Sequence, residues 1–292
     1  MRETEPSDLT EPTRLPDLPD LPDLPDGLGL VVADMDGTLL DGDGRVPDAL
    51  WPLLERLDAV GAAFAPASGR QYATLHRLFE RAADGMVFIA ENGTYVVRDG
   101  VEVSSTTLDP AVVADLVRRG REIAAERDLG TVVCGKRSAY VERTDAAFLA
   151  QVDTYYAART VVDDLTAVDD EVVKVALHDA ADSEPVADLV RPAAGGQQVV
   201  VSGAHWVDVM PRGVTKGDAV RRLQAELGVG AHQTVAFGDY LNDLEMLDAA
   251  DGSFAMAGAH PDVLARARHT APPHTEAGVV QVLDALLRRL GA

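Results

Sequence analysis

Residues 28–40 read Leu-Gly-Leu-Val-Val-Ala-Asp-Met-Asp-Gly-Thr-Leu-Leu, an apolar run that ends in two carboxylates, Asp34 and Asp36. An apolar run without polar alternation fits a strand buried on both faces, as in a parallel sheet covered by helices. Two carboxylates at i and i+2 share one side of a strand, and Gly37 permits an abrupt turn directly after them. At a strand end such a pair can divide the work of ester cleavage. One carboxylate attacks phosphorus and the other gives a proton to the leaving oxygen. A simple turn is the plainer account of acid pairs in general, and it suits Asp41-Gly42-Asp43.

Outward from this stretch the pattern alternates. A helix is expected near 48–60, then a strand over 62–68 that runs into Ser68-Gly69-Arg70, a helix over 72–82 and a strand over 86–93. Strand–helix alternation of this kind predicts a doubly wound α/β sheet. Ser68 and Gly69 would offer a hydroxyl and backbone N–H groups to an anion at a helix N-terminus. Pro66 is a departure, since a central strand loses a ladder hydrogen bond there.

The alternation breaks at residue 94. A hairpin with an Asp99-Gly100 turn covers 94–105, and a mixture of helices and strands follows, among them a helix from Pro110 with Asp109 as N-cap. Residues 94–204 are therefore expected to form an α+β unit inserted into a core made of 27–93 and 205–292. In the returning segment Lys216 opens a helix after Thr215, a candidate N-cap. Gly238-Asp239-Tyr240-Leu241-Asn242-Asp243 again follows an apolar strand. Ligands of open α/β sheets bind at that carboxyl edge.

Composition narrows the function. Apolar residues make up 47% and charged residues 25% of the 292 positions, which excludes a wholly disordered or collagen-like chain. No apolar run is long enough for a membrane span, and the first residues do not read as a signal peptide, so the chain is expected to be cytoplasmic. A net charge of −22 opposes nucleic acid and anionic lipid as partners. The single cysteine, Cys134, excludes a disulfide framework and a multi-cysteine zinc centre. Lysine occurs only at 136, 174 and 216, and asparagine only at 92 and 242, so each is a candidate for a site that needs it. Residues 1–26 carry eight acids, two bases and the repeat Leu-Pro-Asp; they are expected to form a disordered, solvated tail, with a protein-docking arm as the alternative.

Together the motifs resemble the haloacid dehalogenase-like (HAD) hydrolase superfamily, in particular its Cof-type phosphatases. The four motifs are Asp34–Leu40, Ser68–Arg70, Lys216 and Gly238–Asp243, with Ala90–Gly93 leading into the insert; the resemblance spans roughly residues 28–290. Asp34 and Ser68 lie 34 positions apart, whereas 148 separate Ser68 from Lys216, which is where Cof-type proteins carry their α+β cap. The resemblance implies a Rossmann-like core with an inserted cap. It implies Asp34 as the nucleophile that forms an aspartyl-phosphate and Asp36 as the acid and then the base. It implies Mg²⁺ held by Asp34, the Asp36 carbonyl and Asp239, with Asp243 in support. Ser68, Gly69, Lys216 and Asn242 would hold the phosphate. The implied substrate is a small phosphorylated metabolite, such as a sugar phosphate. A phosphotransferase or phosphomutase of the same fold, or a non-catalytic regulatory protein, are the alternatives.

Overall fold

The computed structural model describes residues 21–24 and 27–292. Its centre is the opening stretch: β1 (Leu30–Asp34) is fully flanked, pairing in parallel with β2 (Ala63–Ala67) on one side and β12 (Thr234–Gly238) on the other. Between β1 and β2 runs α1 (Leu50–Ala59); α2 (Tyr72–Leu78) leads to β3 (Val87–Ala90), and a hairpin, β4 (Tyr95–Arg98) and β5 (Val101–Ser105), follows. On the other side the chain passes from α6 (Lys216–Leu227) through β12 to α7 (Leu244–Asp248) and β13 (Gly252–Met256). It then continues through α8 (Pro261–Arg266) and β14 (His269–Ala271) to α9 (Gly278–Arg289). The sheet order is β14-β13-β12-β1-β2-β3-β4-β5, parallel except for the hairpin. Winding proceeds in one direction from β1 to β3 and in the other from β12 to β14. The crevice between the carboxyl ends of β1 and β12 is therefore the topological switch point, where open α/β sheets bind ligands.

Side-chain alternation along β1 explains the two layers of helices. Val31 and Ala33 join a core with Leu50, Leu53 and Leu57 of α1 and Val282, Leu283 and Leu286 of α9. Leu30 and Val32 point the other way, against Val220 and Leu223 of α6 and Met246 and Leu247 of α7. Both faces are covered, so the strand contains no polar residue until its last position. Pro66 sits within β2, opposite Ala33.

A second sheet is built between β5 and α6. After α3 (Pro110–Ala124), capped by Asp109 accepting from Ala111 N–H, come β6 (Leu129–Gly135), β7 (Ala139–Val141), α4 (Ala146–Tyr155) and β8 (Arg159–Val161). Then follow β9 (Val172–Asp179), α5 (Glu184–Val190), β10 (Gln198–Gly203) and β11 (Trp206–Met210), in sheet order β10-β11-β9-β6-β7-β8. One face packs on α3 and α5; the other carries Cys134 and Trp206 beside Phe148 and Val152 of α4 and Tyr156, which directly follows that helix.

Three expectations are corrected by this topology. The hairpin placed in the inserted unit instead extends the first sheet, because β4 pairs antiparallel with β3. Trp206–Met210, placed in the returning core, belongs to the second sheet through β9 and β10. The third concerns the amino-terminal tail. Residues 1–20, 25 and 26 lie outside the described residues, but Leu24 is buried in the α1–α9 core, Leu21 packs against it, and Arg289 bonds the Leu21 carbonyl. The tail therefore does have an apolar contact. Leu24→Ala is expected to cost about 2 kcal/mol, since a buried leucine is truncated, and to lower Tm by several degrees in a thermal melt. A melt superimposable on wild type would show that the contact contributes nothing.

Candidate active site

The chain leaves β1 at Asp34, in extended conformation, and turns sharply over Met35–Leu39. Gly37 takes φ +81, and a Cβ there would lie 2.5 Å from Asp239 Oδ2, so both backbone shape and close approach demand glycine. The turn brings Thr38, which is buried, to donate from Oγ1 to Asp239 Oδ1 at 2.8 Å. Asp239 stands at the end of β12, the strand adjoining β1. Sheet pairing thus fixes the Asp34–Asp239 approach, and the Thr38 bond fixes the carboxylate's orientation.

Lys216, at the first position of α6, is held by a capping box. Asp218 N–H donates to Thr215 Oγ1 at 3.2 Å, and Thr215 N–H donates to Asp218 Oδ2 at 3.1 Å. Its side chain has 0% exposure and its Nζ donates to Asp34 Oδ1 and, at 2.8 Å, to Asp243 Oδ1. The other oxygen of Asp243 accepts from the N–H groups of Asp239 at 3.0 Å and Tyr240 at 3.1 Å. Asp243 is therefore the keystone of the loop after β12, and it orients both the lysine and Asp239.

Carboxylate oxygens of Asp34, Asp239 and Asp243 all lie within 4.8 Å of one another. Burial, reinforced by the Asp243 charge, holds the Asp34 carboxyl well above the ordinary carboxylate range, and Lys216 only partly offsets it. Burial also raises Asp239, against the lowering effect of the Thr38 hydrogen bond. For Lys216 burial acts downward, but Asp243 and Asp34 outweigh it and hold the ammonium above its ordinary range. Three acids thus share one ammonium, and the cluster is short of positive charge. Hard oxygen donors at this spacing fit Mg²⁺, which is bound through carboxylates.

A pH dependence follows, with its sign set by the raised carboxyls. A carboxyl whose folded pKa lies above its unfolded value binds more protons when folded. Its contribution to stability falls as pH rises above the ordinary carboxylate range. A cation must displace those protons, so its affinity rises over the same interval. The gain in Tm on adding a fixed concentration of Mg²⁺ to chelator-treated protein is expected to grow as pH rises above the ordinary carboxylate range. At 100 times Kd it should reach about 2.7 kcal/mol, which amounts to several degrees. A shift independent of pH, or none, would contradict the carboxylate cluster as the Mg²⁺ site.

Other residues singled out in the sequence are placed differently. Ser68 is buried at the end of β2, and its Oγ accepts from Arg70 N–H at 3.2 Å. Gly69 lies beside Asn92, so closely that a Cβ would meet Asn92 Nδ2 at 3.0 Å. Asn242 donates to Asn92 Oδ1 at 3.2 Å, so the chain's two asparagines bond each other at the rim. Asp36 does not join the buried cluster. Its side chain is 60% exposed and is gripped by the Arg70 fork, Nε to Oδ2 at 2.9 Å and Nη2 to Oδ1 at 2.6 Å. Thr38 and Arg70 were not singled out individually; both lie inside the quoted motifs, but nothing in residue type distinguishes them before the chain is folded.

Asp34, Asp36, Ser68, Arg70, Lys216, Asp239 and Asn242 line one cavity of about 800 Å³ between the two sheets, with Gln198, Ser202, His205, Trp206 and Tyr155 on the side of the second sheet. Among the described residues no helix is long and apolar enough to cross a membrane.

Comparison with known proteins agrees with this architecture. A family model described as haloacid dehalogenase-like hydrolase matches residues 31–283. The chain is 32% identical over 263 residues to the 5-amino-6-(5-phospho-D-ribitylamino)uracil phosphatase YbjI of Escherichia coli (strain K12), covering 89% of this chain and 96% of that protein. It is 28% identical over 241 residues to the HMP-PP phosphatase of Cronobacter sakazakii, covering 81% and 86%. A solved haloacid dehalogenase-like hydrolase from Bacteroides thetaiotaomicron shares the fold, with a TM-score of 0.77 at 21% identity over 89% of this chain and 99% of that one. With a doubly wound core and an acidic cluster at its switch point, the chain belongs to the haloacid dehalogenase-like hydrolase family.

Proposed function

We propose that the protein is a Mg²⁺-dependent phosphoric monoester hydrolase acting on small phosphorylated metabolites through an aspartyl-phosphate on Asp34. The observation that carries this is the buried Asp34–Lys216–Asp243–Asp239 cluster opening into a cavity large enough for a small metabolite. The two relatives are named as phosphatases, and one is named for a substrate whose phosphate sits on a ribityl chain joined to a pyrimidine. Hydroxyl, amide and aromatic groups on the second sheet suit a polyol or sugar phosphate.

In the proposed reaction the Asp34 carboxylate attacks phosphorus and the ester P–O bond breaks, while Asp36 supplies the proton for the leaving oxygen. Water then attacks the phosphorus of the aspartyl-phosphate, Asp36 takes its proton, and the bond to Asp34 breaks to release phosphate. The Arg70 fork occupies both carboxylate oxygens of Asp36, so the acid step requires that pair to open. Ser68, Gly69, Lys216 and Asn242 hold the phosphate, and Lys216 also keeps Asp34 aligned. Asp34, Asp239 and the Asp36 carbonyl would hold Mg²⁺, with Asp243 in support; the ion supplies charge stabilisation for the phosphoryl oxygens.

The test is phosphate release from sugar phosphates, nucleotides and cofactor phosphates with Mg²⁺ and no added acceptor. Release from at least one compound, lost on chelation, is the expected result. Transfer only to a second substrate would replace hydrolysis by phosphotransfer, and no turnover with any phosphate ester would overturn the proposal.

A further inference from the structure

A second group of buried charges joins the two sheets and is unused by the chemistry above. Lys174, on β9 of the second sheet, is buried; its Nζ donates to the Gly69 carbonyl at 3.1 Å and lies 2.6 Å from Glu91 Oε2. Asp208 Oδ2, on the neighbouring strand β11, is 3.6 Å away, and the Tyr156 ring centre is 5.5 Å away. Gly69 and Glu91 both belong to the first sheet's edge loops. Glu91 and Asn92 take positive φ, 51 and 57, a backbone state that persists only where the surroundings fix it. Their N–H groups frame the loop between them: Glu91 N–H donates to Arg70 O at 3.1 Å, and Asn92 N–H donates to Ser68 O at 2.9 Å.

The Gly69 carbonyl and the Arg70 N–H are opposite ends of one planar trans peptide, so fixing one fixes the other. Lys174 grips the carbonyl end with a charge-assisted bond. The N–H end donates to Ser68 Oγ at 3.2 Å. A serine hydroxyl that accepts there keeps its own proton for another partner, and Ser68 lines the cavity. Holding the sheets together does not require this arrangement, because Gln71 and Thr74 already do so. Gln71 exchanges two bonds with the Ala158 backbone, each 2.9 Å. Thr74 donates to Tyr155 O at 2.8 Å and accepts from Ala157 N–H at 2.9 Å.

We propose that Lys174 is a positioning residue which, through the Gly69–Arg70 peptide, turns the Ser68 hydroxyl proton toward bound phosphate, so that the phosphate site is complete only when the second sheet is docked. This rests on the assignment of Ser68 to phosphate. The second sheet then contributes to the reaction beyond shaping the cavity, by finishing a site whose ligands all belong to the first.

The test is a double-mutant cycle read by inorganic phosphate as an inhibitor of p-nitrophenyl phosphate hydrolysis with Mg²⁺. Lys174→Met is made together with Glu91→Gln, since removing the lysine alone strands a buried carboxylate. Ser68→Ala and the Lys174/Glu91 pair are each expected to raise the phosphate Ki about tenfold, the loss of one good hydrogen bond. All three changes combined should be no worse than Ser68→Ala alone, because both act on one bond. Thr74→Val, which removes one bond between the sheets while Gln71 and Lys174 keep them docked, should lower Tm and leave Ki unchanged. Additive losses, or an equal rise in Ki for Thr74→Val, would overturn the positioning role while leaving the phosphate site standing. An unchanged Ki in Ser68→Ala would overturn the phosphate assignment itself. Should the Lys174/Glu91 pair not fold, Lys174→Arg keeps the charge but not the single compact donor, and the same non-additivity with Ser68→Ala is expected.

Discussion

Asp34→Asn is expected to lose phosphatase turnover by a factor on the order of 10⁵ or more, the scale reached when a nucleophile acting within a unit is removed. The amide has the shape of the carboxylate but neither its charge nor its nucleophilicity. The structure adds a second expectation, that this loss comes without loss of fold. Asp34 is 7% exposed, and its burial disfavours the carboxylate, so a neutral amide removes an electrostatic cost. Lys216 keeps Asp243 as its partner. Metal-free Asp34→Asn should therefore melt no lower than metal-free wild type. Steady-state phosphate release and a thermal melt check the two halves, and turnover near wild type in the folded variant would remove Asp34 from the mechanism.

Lys216→Arg is expected to lose on the order of 10²-fold in kcat/KM, as removal of a single transition-state donor does. Charge is preserved, so the effect is one of shape. Nζ is a compact donor set between one oxygen of Asp34 and one of Asp243, with no exposed surface. A guanidinium is a wider planar fork that prefers two oxygens side by side. The helix cannot retreat to make room, because Gly217 packs so tightly that even a Cβ would strike the Glu245 carbonyl. Asp34 would be displaced instead. Activity within about twofold of wild type would mean that charge alone is required there.

The sequence carried most of the core's architecture because strands buried on both faces leave apolar runs, and β1, β2, β3 and β12 do so. Three of the four motifs sit at the carboxyl ends of such strands; the fourth, Lys216, opens a helix after a recognisable cap. What the sequence did not carry was pairing between segments. The hairpin at Tyr95–Ser105 reads the same whether it joins one sheet or the other, and only the register with β3 decides. Trp206–Met210 has an apolar pattern that suits either sheet. Asp36 and Asp34 sit two residues apart in one motif, yet Gly37 and the turn send one inward to Lys216 and the other outward to Arg70. Lys174 was visible only as one of three lysines; its contact with Gly69 spans 105 positions, and no local spacing reports it. Leu15, Leu18, Leu21 and Leu24 recur at one spacing in the Leu-Pro-Asp repeat, so each was a candidate to clip a groove and nothing in the repeat marked Leu24 as one that is buried.

Direct capture of the phosphoryl group on the protein tests the central claim. Wild type and Asp36→Asn, mixed with Mg²⁺ and a hydrolysed substrate, are quenched in acid during turnover and treated with borohydride, which reduces an acyl phosphate to the alcohol. Peptide mass spectrometry then locates the reduced side chain. The account predicts reduction at Asp34 alone, more of it in Asp36→Asn, where water attack lacks its base, and none in Asp34→Asn. Phosphate release at full rate with no reducible acyl phosphate in either protein, or modification at another residue, would contradict it.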